Sequence, residues 1–414
     1  MDDLFLVDTG TDELYSYQSL LKDVCSVKEI PCFLRADKLY DFYCNLLASI
    51  VHNVSVEVLD ADMSLDELHR LEISDAMLDR KQEVAVAGNI TSDVLFQKLQ
   101  ENNDGWTLTL YTSGTTGRPK KVYHTLKTLM RTVKHSPKLA DKVWALAYNP
   151  THYAGLQVFF QALSNLNTLV YVFGQPVHSI PRILKKYHVT NLSATPSYYK
   201  MFLPLADVNE TMERITFGGE RMDETLLPDV KRVFPNAEIR NIYASTEAGA
   251  LFTSVGNEFS IAPDLKDKVK ILDSGELLLH ASLLGGGVPL QDGEWFLTGD
   301  LVESVGENRF CFSSRKTEMI NVGGYKVNPN EVETVIRQVD GVADALVTGK
   351  ENRLLGYVLL AYVVKQDQSA QDAVLKEKIF THLAEHLQSW KCPRIIYFVD
   401  HLELSRTGKK VRPQ

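Results

Sequence analysis

Short runs of β-branched and aromatic residues alternate with helical patterns along most of the chain. Residues 107–112, 168–173, 191–194 and 238–243 read as buried strands, and 156–163 and 179–187 as helices. Such alternation places helices on both faces of a sheet. It predicts an α/β fold class with parallel-rich sheets. The pattern changes after Asp300. Residues 309–313 read as a strand that ends in a polar connection. A short amphipathic helix at 330–339, strands at 343–348 and 356–364, a helix at 371–387 and a last strand at 394–399 follow. This second stretch has the size of a small α+β domain. The expected organisation is a large N-terminal domain of α/β subdomains at 1–313, a hinge at 314–317 and a small C-terminal domain at 318–414.

The 414 residues suffice for more than one core. A net charge of −9 disfavours wholesale binding to nucleic acid, although a local basic groove stays open. The five cysteines are odd in number and form no CxxC pair, so neither a disulfide framework nor a cysteine zinc site is indicated. A reducing cytoplasm is the simplest setting. The start, Met1-Asp2-Asp3, lacks the basic and apolar regions of a signal peptide. No membrane span is expected. The most apolar stretch, 156–174, is interrupted by Gln157, Gln161, Ser164, Asn165 and Asn167.

The densest local signal is Tyr111-Thr112-Ser113-Gly114-Thr115-Thr116-Gly117-Arg118-Pro119-Lys120, directly after a strand pattern. Glycines let the backbone turn its N–H groups toward an anion. Hydroxyls at Thr112, Ser113, Thr115 and Thr116 can donate to phosphate oxygens, and Lys120 adds a positive charge. The glycine spacing and Lys121 exclude a Walker A loop. A flexible polar turn is the plain alternative.

This segment resembles the signature of the adenylate-forming superfamily of acyl- and aryl-CoA ligases, peptide-synthetase adenylation domains and firefly-type luciferases. Lys121 stands where that signature has glycine. Further segments resemble the family's in family order. Asn149 to Leu156, with His152, is similar to the segment that lines the acyl pocket. Ser193 to Tyr199 is similar to a strand-to-helix step. Phe217-Gly218-Gly219-Glu220 is similar to the turn beside adenine. Asn241-Ile242-Tyr243-Ala244-Ser245-Thr246-Glu247, Trp295 to Asp300, Arg315, Met319 to Glu333 and Leu402 to Arg412 complete the set. Each has a structural alternative when taken alone: Glu247 as an acid at a helix start, Asp300 as a Gly-Asp turn, Lys409 as a tail lysine. Their order along the chain favours the family.

The resemblance implies roles. The loop residues Thr112, Ser113, Gly114, Thr115, Thr116, Gly117 and Lys120 would hold phosphates. Gly218, Gly219, Glu220, Asn241, Tyr243 and Ser245 would border the adenine side, Tyr243 by stacking. Asp300 and Arg315 would bind the ribose. Thr246, Glu247, His152 and Lys409 would be catalytic, with Glu247 the Mg²⁺ ligand and Lys409 on the carboxylate and α-phosphate. The small domain would be mobile, rotating about 314–317 to withdraw Lys409 and bring Gly323 and Gly324 toward a pantetheine tunnel.

The implied activity is that of an acid–thiol ligase using ATP, Mg²⁺ and CoA. A carboxylic acid becomes acyl-AMP with release of pyrophosphate, and the acyl group passes to a thiol. Tyr153 stands where amino-acid-activating relatives carry Asp, so an aryl or fatty acyl acid fits better than an α-amino acid. His152, Tyr153 and Phe159 suggest an aromatic pocket. About 110 residues precede the loop, fewer than full-length relatives carry, which implies a reduced N-terminal subdomain. The phosphopantetheine arm of an acyl carrier protein is the alternative acceptor, and a homodimer is compatible. A non-catalytic adenine-nucleotide-binding protein is the alternative of another class, favoured by Lys121, Thr317, Asn321 and Glu403 and opposed by Glu247, Asp300, Arg315 and Lys409.

Overall fold

The computed structural model describes residues 3–412 apart from 89, 101–104, 113–119, 323–324, 353–355 and 406–408, and apart from the side chains of 65, 66, 112 and 356. The chain divides into two compact units. One comprises Met1–Lys268 and Leu279–Phe296, the other Val269–Leu278 and Leu297–Gln414. Residues 314–317 lie inside the second of these.

The first unit is built on an eight-stranded sheet. Strands Leu4–Asp8, Thr168–Tyr171, Val143–Leu146, Asn191–Ala194, Arg214–Gly218 and Glu238–Ser245 are parallel neighbours in that order. Antiparallel strands, Glu13–Ser16 and Gly249–Ser254, close its two edges. Successive side chains enter opposite cores, as the two-residue period of a strand requires. Leu6, Leu146 and Leu169 join Tyr43, Phe159 and Phe160 in one. Val7, Ala145 and Val170 join Tyr199, Phe217 and Phe234 in the other. Burial on both faces explains the apolar runs of Leu4–Asp8, Val143–Leu146 and Thr168–Tyr171. A smaller sheet pairs Phe33–Arg35, Val56–Leu59 and Thr107–Thr112 in parallel. It ends in the antiparallel strand Lys120–Thr125. The α/β, parallel-rich class expected from the sequence is the one observed.

In the second unit, Trp295–Gly306 and Arg309–Arg315 form an antiparallel pair. A further sheet contains Tyr325–Val327, Ile320–Val322, Gly356–Lys365, Val342–Asn352 and, in parallel with Gly356–Lys365, Ile395–Val399. The helices Pro329–Arg337 and Asp372–His386 pack on it through Val332, Ile336, Leu375, Ile379 and Leu383. Asn328 caps the first of these by accepting from the Asn330 N–H, with Pro329 at the first helical position.

Candidate active site

The hydroxyl- and glycine-rich segment connects two hydrogen-bonded strands. Thr112 pairs with Lys120, and Tyr111 with Lys121. Ser113, Gly114, Thr115, Thr116 and Gly117 lie outside the described residues, as does the Thr112 side chain. Lys120 opens the returning strand and is exposed. Lys121, the departure from the family signature, is engaged elsewhere. Its Nζ lies 3.2 Å from Glu57 Oε2, which also accepts from the Tyr111 hydroxyl.

The returning strand leads directly to the turn carrying Thr246 and Glu247. His124 Nε2 lies 2.7 Å from the Thr246 carbonyl oxygen. A carbonyl only accepts, so Nε2 carries the proton. Burial pushes the His124 pKa down to about 4, a nearby Arg131 adding to the shift, so the ring is neutral at pH 7. Three more contacts fix the turn. Gly285 N–H donates to Glu247 O at 2.8 Å, Ala248 N–H donates to Ser245 Oγ at 3.1 Å, and Arg131 donates to Ala248 O. Tyr153 packs beneath it, its ring 5.2 Å from that of His124. Gly249 has φ +67°, and a Cβ there would lie 2.3 Å from the Tyr153 hydroxyl oxygen, so the turn requires glycine. The strand Lys120–Thr125, the helix Tyr153–Leu163 and the 245–249 turn therefore meet at His124 and Tyr153.

Glu247 is half-buried, and its carboxylate makes no hydrogen bond or ion pair among the described residues. A hard oxygen donor that no described cationic side chain pairs with fits Mg²⁺, which takes one or two carboxylates alongside substrate phosphates.

His152 stands at the N-cap of Tyr153–Leu163. Its Nε2 lies 2.9 Å and 3.0 Å from the two Asp60 oxygens. Asp60 also accepts from Asn149 Nδ2 at 3.1 Å and from the Thr151 hydroxyl. One carboxylate thus gathers the whole loop that leads into the helix. Close packing fixes the entry, because a Cβ on Gly155 would meet Asn149 O at 2.2 Å. Phe159 is fully buried and stacks on Tyr43 with ring centroids 4.0 Å apart. It belongs to the core, which removes it from the aromatic pocket inferred above.

Other expected residues have their side chains engaged locally. Glu220 Oε2 accepts from Ser197 N at 3.0 Å. Asn241 is buried and donates to Gly256 O at 2.9 Å. Gly218 O accepts from the Tyr148 hydroxyl at 3.2 Å, and Gly219 follows with φ +82°. Tyr243 is half-buried, its ring 5.6 Å from that of Phe252. His124, Asp60 and Tyr148 were passed over in the sequence, because none lies in a motif that names it. The run Gly285-Gly286-Gly287 was a visible signal, and its first glycine holds Glu247.

In the second unit, Asp300 is 2% exposed and directly opposite Arg315, with Nε 2.9 Å from Oδ1. Thr298 Oγ1 accepts from Asp300 N at 3.0 Å and donates to Leu277 O at 2.8 Å. Lys409 is half-buried, with its backbone held to Ser405: Ser405 N donates to Lys409 O at 2.7 Å. The tail is clamped beyond it by Lys410 to Asp344 at 2.7 Å and by Arg412 to Glu333 and, at 2.8 Å, to Asn330 Oδ1. Gly323 and Gly324 lie outside the described residues.

Parallel-rich sheets, a glycine- and hydroxyl-rich sequence between two paired strands and a Glu247 carboxylate with no partner among the described residues suit an α/β enzyme that works on a nucleotide. The family described as AMP-binding enzyme matches residues 45–280, and its C-terminal domain matches residues 331–409. The chain belongs to this family, within the adenylate-forming superfamily. It is 28% identical to 3-[(3aS,4S,7aS)-7a-methyl-1,5-dioxo-octahydro-1H-inden-4-yl]propanoyl:CoA ligase of Mycobacterium tuberculosis, over 92% of this chain and 77% of that one. It is 26% identical to 2-succinylbenzoate–CoA ligase of Staphylococcus aureus, over 82% and 72%. The fold matches ATP-bound MatB from Rhodopseudomonas palustris with a TM-score of 0.75 at 19% identity, covering 99% of this chain and 94% of that one. No helix among the described residues is long and apolar enough to cross a membrane.

Proposed function

We propose that the chain is an acid–thiol ligase that activates a carboxylic acid with ATP and transfers the acyl group to CoA. First, a carboxylate oxygen of the acid attacks the α-phosphorus. The bond from that phosphorus to the bridging oxygen breaks, giving acyl-AMP and pyrophosphate. Next, the thiol sulfur attacks the acyl carbon. The carbon–oxygen bond to AMP breaks, AMP leaves and the thiol proton passes to solvent. An aryl or fatty acyl acid is the substrate class, because position 153, where amino-acid-activating relatives carry Asp for an α-ammonium group, is Tyr.

The protein's part is positioning and charge stabilisation. Residues 112–117 and Lys120 hold the phosphates, Tyr243 meets the adenine, and Asp300 and Arg315 hold the ribose. Gly218, Gly219, Glu220, Asn241 and Ser245 shape the backbone around the nucleotide. Thr246 and Lys409 contact the α-phosphate, and His152 faces the acid. Glu247 holds Mg²⁺, which when bound offsets the phosphate charge. The carrying observation is the turn fixed by His124, Arg131 and Gly285, with the Glu247 carboxylate left to a ligand. CoA is the acceptor favoured by the names of the curated relatives, and a pantetheinylated carrier protein is the alternative.

The test is exchange of labelled pyrophosphate into ATP with a panel of aryl, fatty and short-chain acids. Acid-dependent exchange is expected, with loss of about 100-fold or more in Glu247→Gln. Failure of every acid in the panel to support exchange would overturn the reading. Acyl-CoA formed in one arm and acyl-carrier protein in the other separates the two acceptors.

A further inference from the structure

The helix Asp372–His386 buries Leu375, Ile379 and Leu383. Its last turn carries three residues that the ligase reading does not use: His382, Glu385 and His386. Positions i, i+3 and i+4 are neighbours on a helix surface. Here one potential ligand atom from each lies within 4.8 Å of the others, and the imidazole centroids are 4.0 Å apart.

Both rings have one nitrogen already oriented. His386 Nδ1 lies 2.8 Å from the His382 carbonyl oxygen, which can only accept. Nδ1 therefore carries the proton, and the Nε2 lone pair is left for a ligand. His382 Nε2 lies 3.3 Å from Gln338 Oε1, which likewise leaves Nδ1 as the lone-pair nitrogen. A hydrogen bond from the second ring nitrogen is the usual device that orients a metal-binding histidine. The helix ends at His386, so the cluster sits at the negative end of the helix dipole, where a cation is favoured.

We propose that His382, Glu385 and His386 bind a divalent late transition-metal ion, Zn²⁺ being the natural occupant. Two imidazole nitrogens and one carboxylate oxygen are too soft a set for Mg²⁺ or Ca²⁺ and suit zinc, with water in the fourth position. Bonds of about 2.0–2.2 Å require the three donors to draw together slightly, which small rotations of exposed side chains allow. The ion would pin the final helical turn. Through Gln338 it would also tie that turn to the residue following Pro329–Arg337. Binding to the folded state alone raises thermal stability.

The experiment uses the full chain without a histidine tag. Zinc binding is followed by calorimetry and by thermal melts, in wild type, in Glu385→Gln and in the double variant His382→Ala/His386→Ala. Expected are one ion per chain, a zinc-dependent rise in Tm, and a loss of affinity of about 10–100-fold in the double variant. Pyrophosphate exchange stays unchanged, and Mg²⁺ does not reproduce the Tm rise. Equal zinc affinity in the double variant, or no zinc binding by wild type at micromolar metal, overturns the proposal. Cobalt substitution gives an independent readout. Thiolate-to-metal charge-transfer absorption would put the ion on cysteines and also overturn it.

Discussion

At the scale of single residues, the site depends on two side chains far in sequence from the groups they hold. His124 is 1% exposed, with its pKa lowered from 6.5 to about 4 by burial. Above pH 6.5 the ring is neutral in both the folded and unfolded chain and stability does not change with its titration. Between pH 6.5 and 4 the unfolded chain takes up the proton and the folded chain does not, so stability falls with pH by a total of roughly 3 kcal/mol. His124→Gln should flatten that fall in denaturant titrations at stepped pH. An equally steep fall in the variant would remove His124 as its source. Asp60 is the second such residue. Asp60→Asn leaves fewer acceptors for Asn149, Thr151 and His152, and should raise KM for the acid about tenfold, the scale of one lost charged hydrogen bond. A rise confined to KM for ATP would place this loop on the wrong substrate. Neither residue was legible in the sequence, because each acts through a contact made only by folding. Phe159 is the converse case: it sits in an aromatic run, but only the fold shows it stacked on Tyr43 in the core.

Whole elements were more legible. The 191–194 strand appears as Asn191–Ala194, and the 371–387 helix as Asp372–His386. A short strand such as 168–171 leaves an apolar run, and the helix leaves Leu375, Ile379 and Leu383 at four-residue spacing. The tail beyond residue 400 was legible only as a motif. Its fixation comes from a buried pair: Glu333, 4% exposed, also accepts from Val347 N at 2.8 Å and meets Arg412. Arg412→Ala leaves that carboxylate with only Arg337, at 3.9 Å, as a charged neighbour among the described residues. The second unit should lose about 3 kcal/mol, the lower end for breaking a buried pair. Glu333→Gln on the Arg412→Ala background should recover part of it, since a neutral amide is cheaper to bury unpaired. Equal melting of Arg412→Ala and wild type would show that the tail is not anchored there. Loss of this anchor also predicts weaker exchange, because Lys409 stands three residues before it.

For the whole molecule, the ligase reading demands that two half-reactions be separable. On that reading Lys409 contacts the α-phosphate and would have no part in transfer from a preformed acyl-AMP. Lys409→Ala should therefore lower pyrophosphate exchange by about 100-fold, the scale of one lost transition-state donor, while acyl-AMP supplied with CoA still yields thioester. Movement about residues 314–317 predicts the opposite variant. Within that segment Ser314 meets Met319, Arg315 meets Asp300 and Lys316 meets Glu276. Thr317, the middle residue of the 3₁₀ turn Lys316–Glu318, is exposed and its side chain makes no hydrogen bond among the described residues, so a substitution there removes no side-chain contact. Proline there fixes φ and removes a donor. Thr317→Pro should keep exchange and lose thioester formation. If Lys409→Ala abolished both half-reactions alike, the lysine would serve the fold or both steps. If Thr317→Pro left both intact, the pivot would have to lie outside 314–317. Opposite selectivity of the two variants is the result that only a chain with two working arrangements can give.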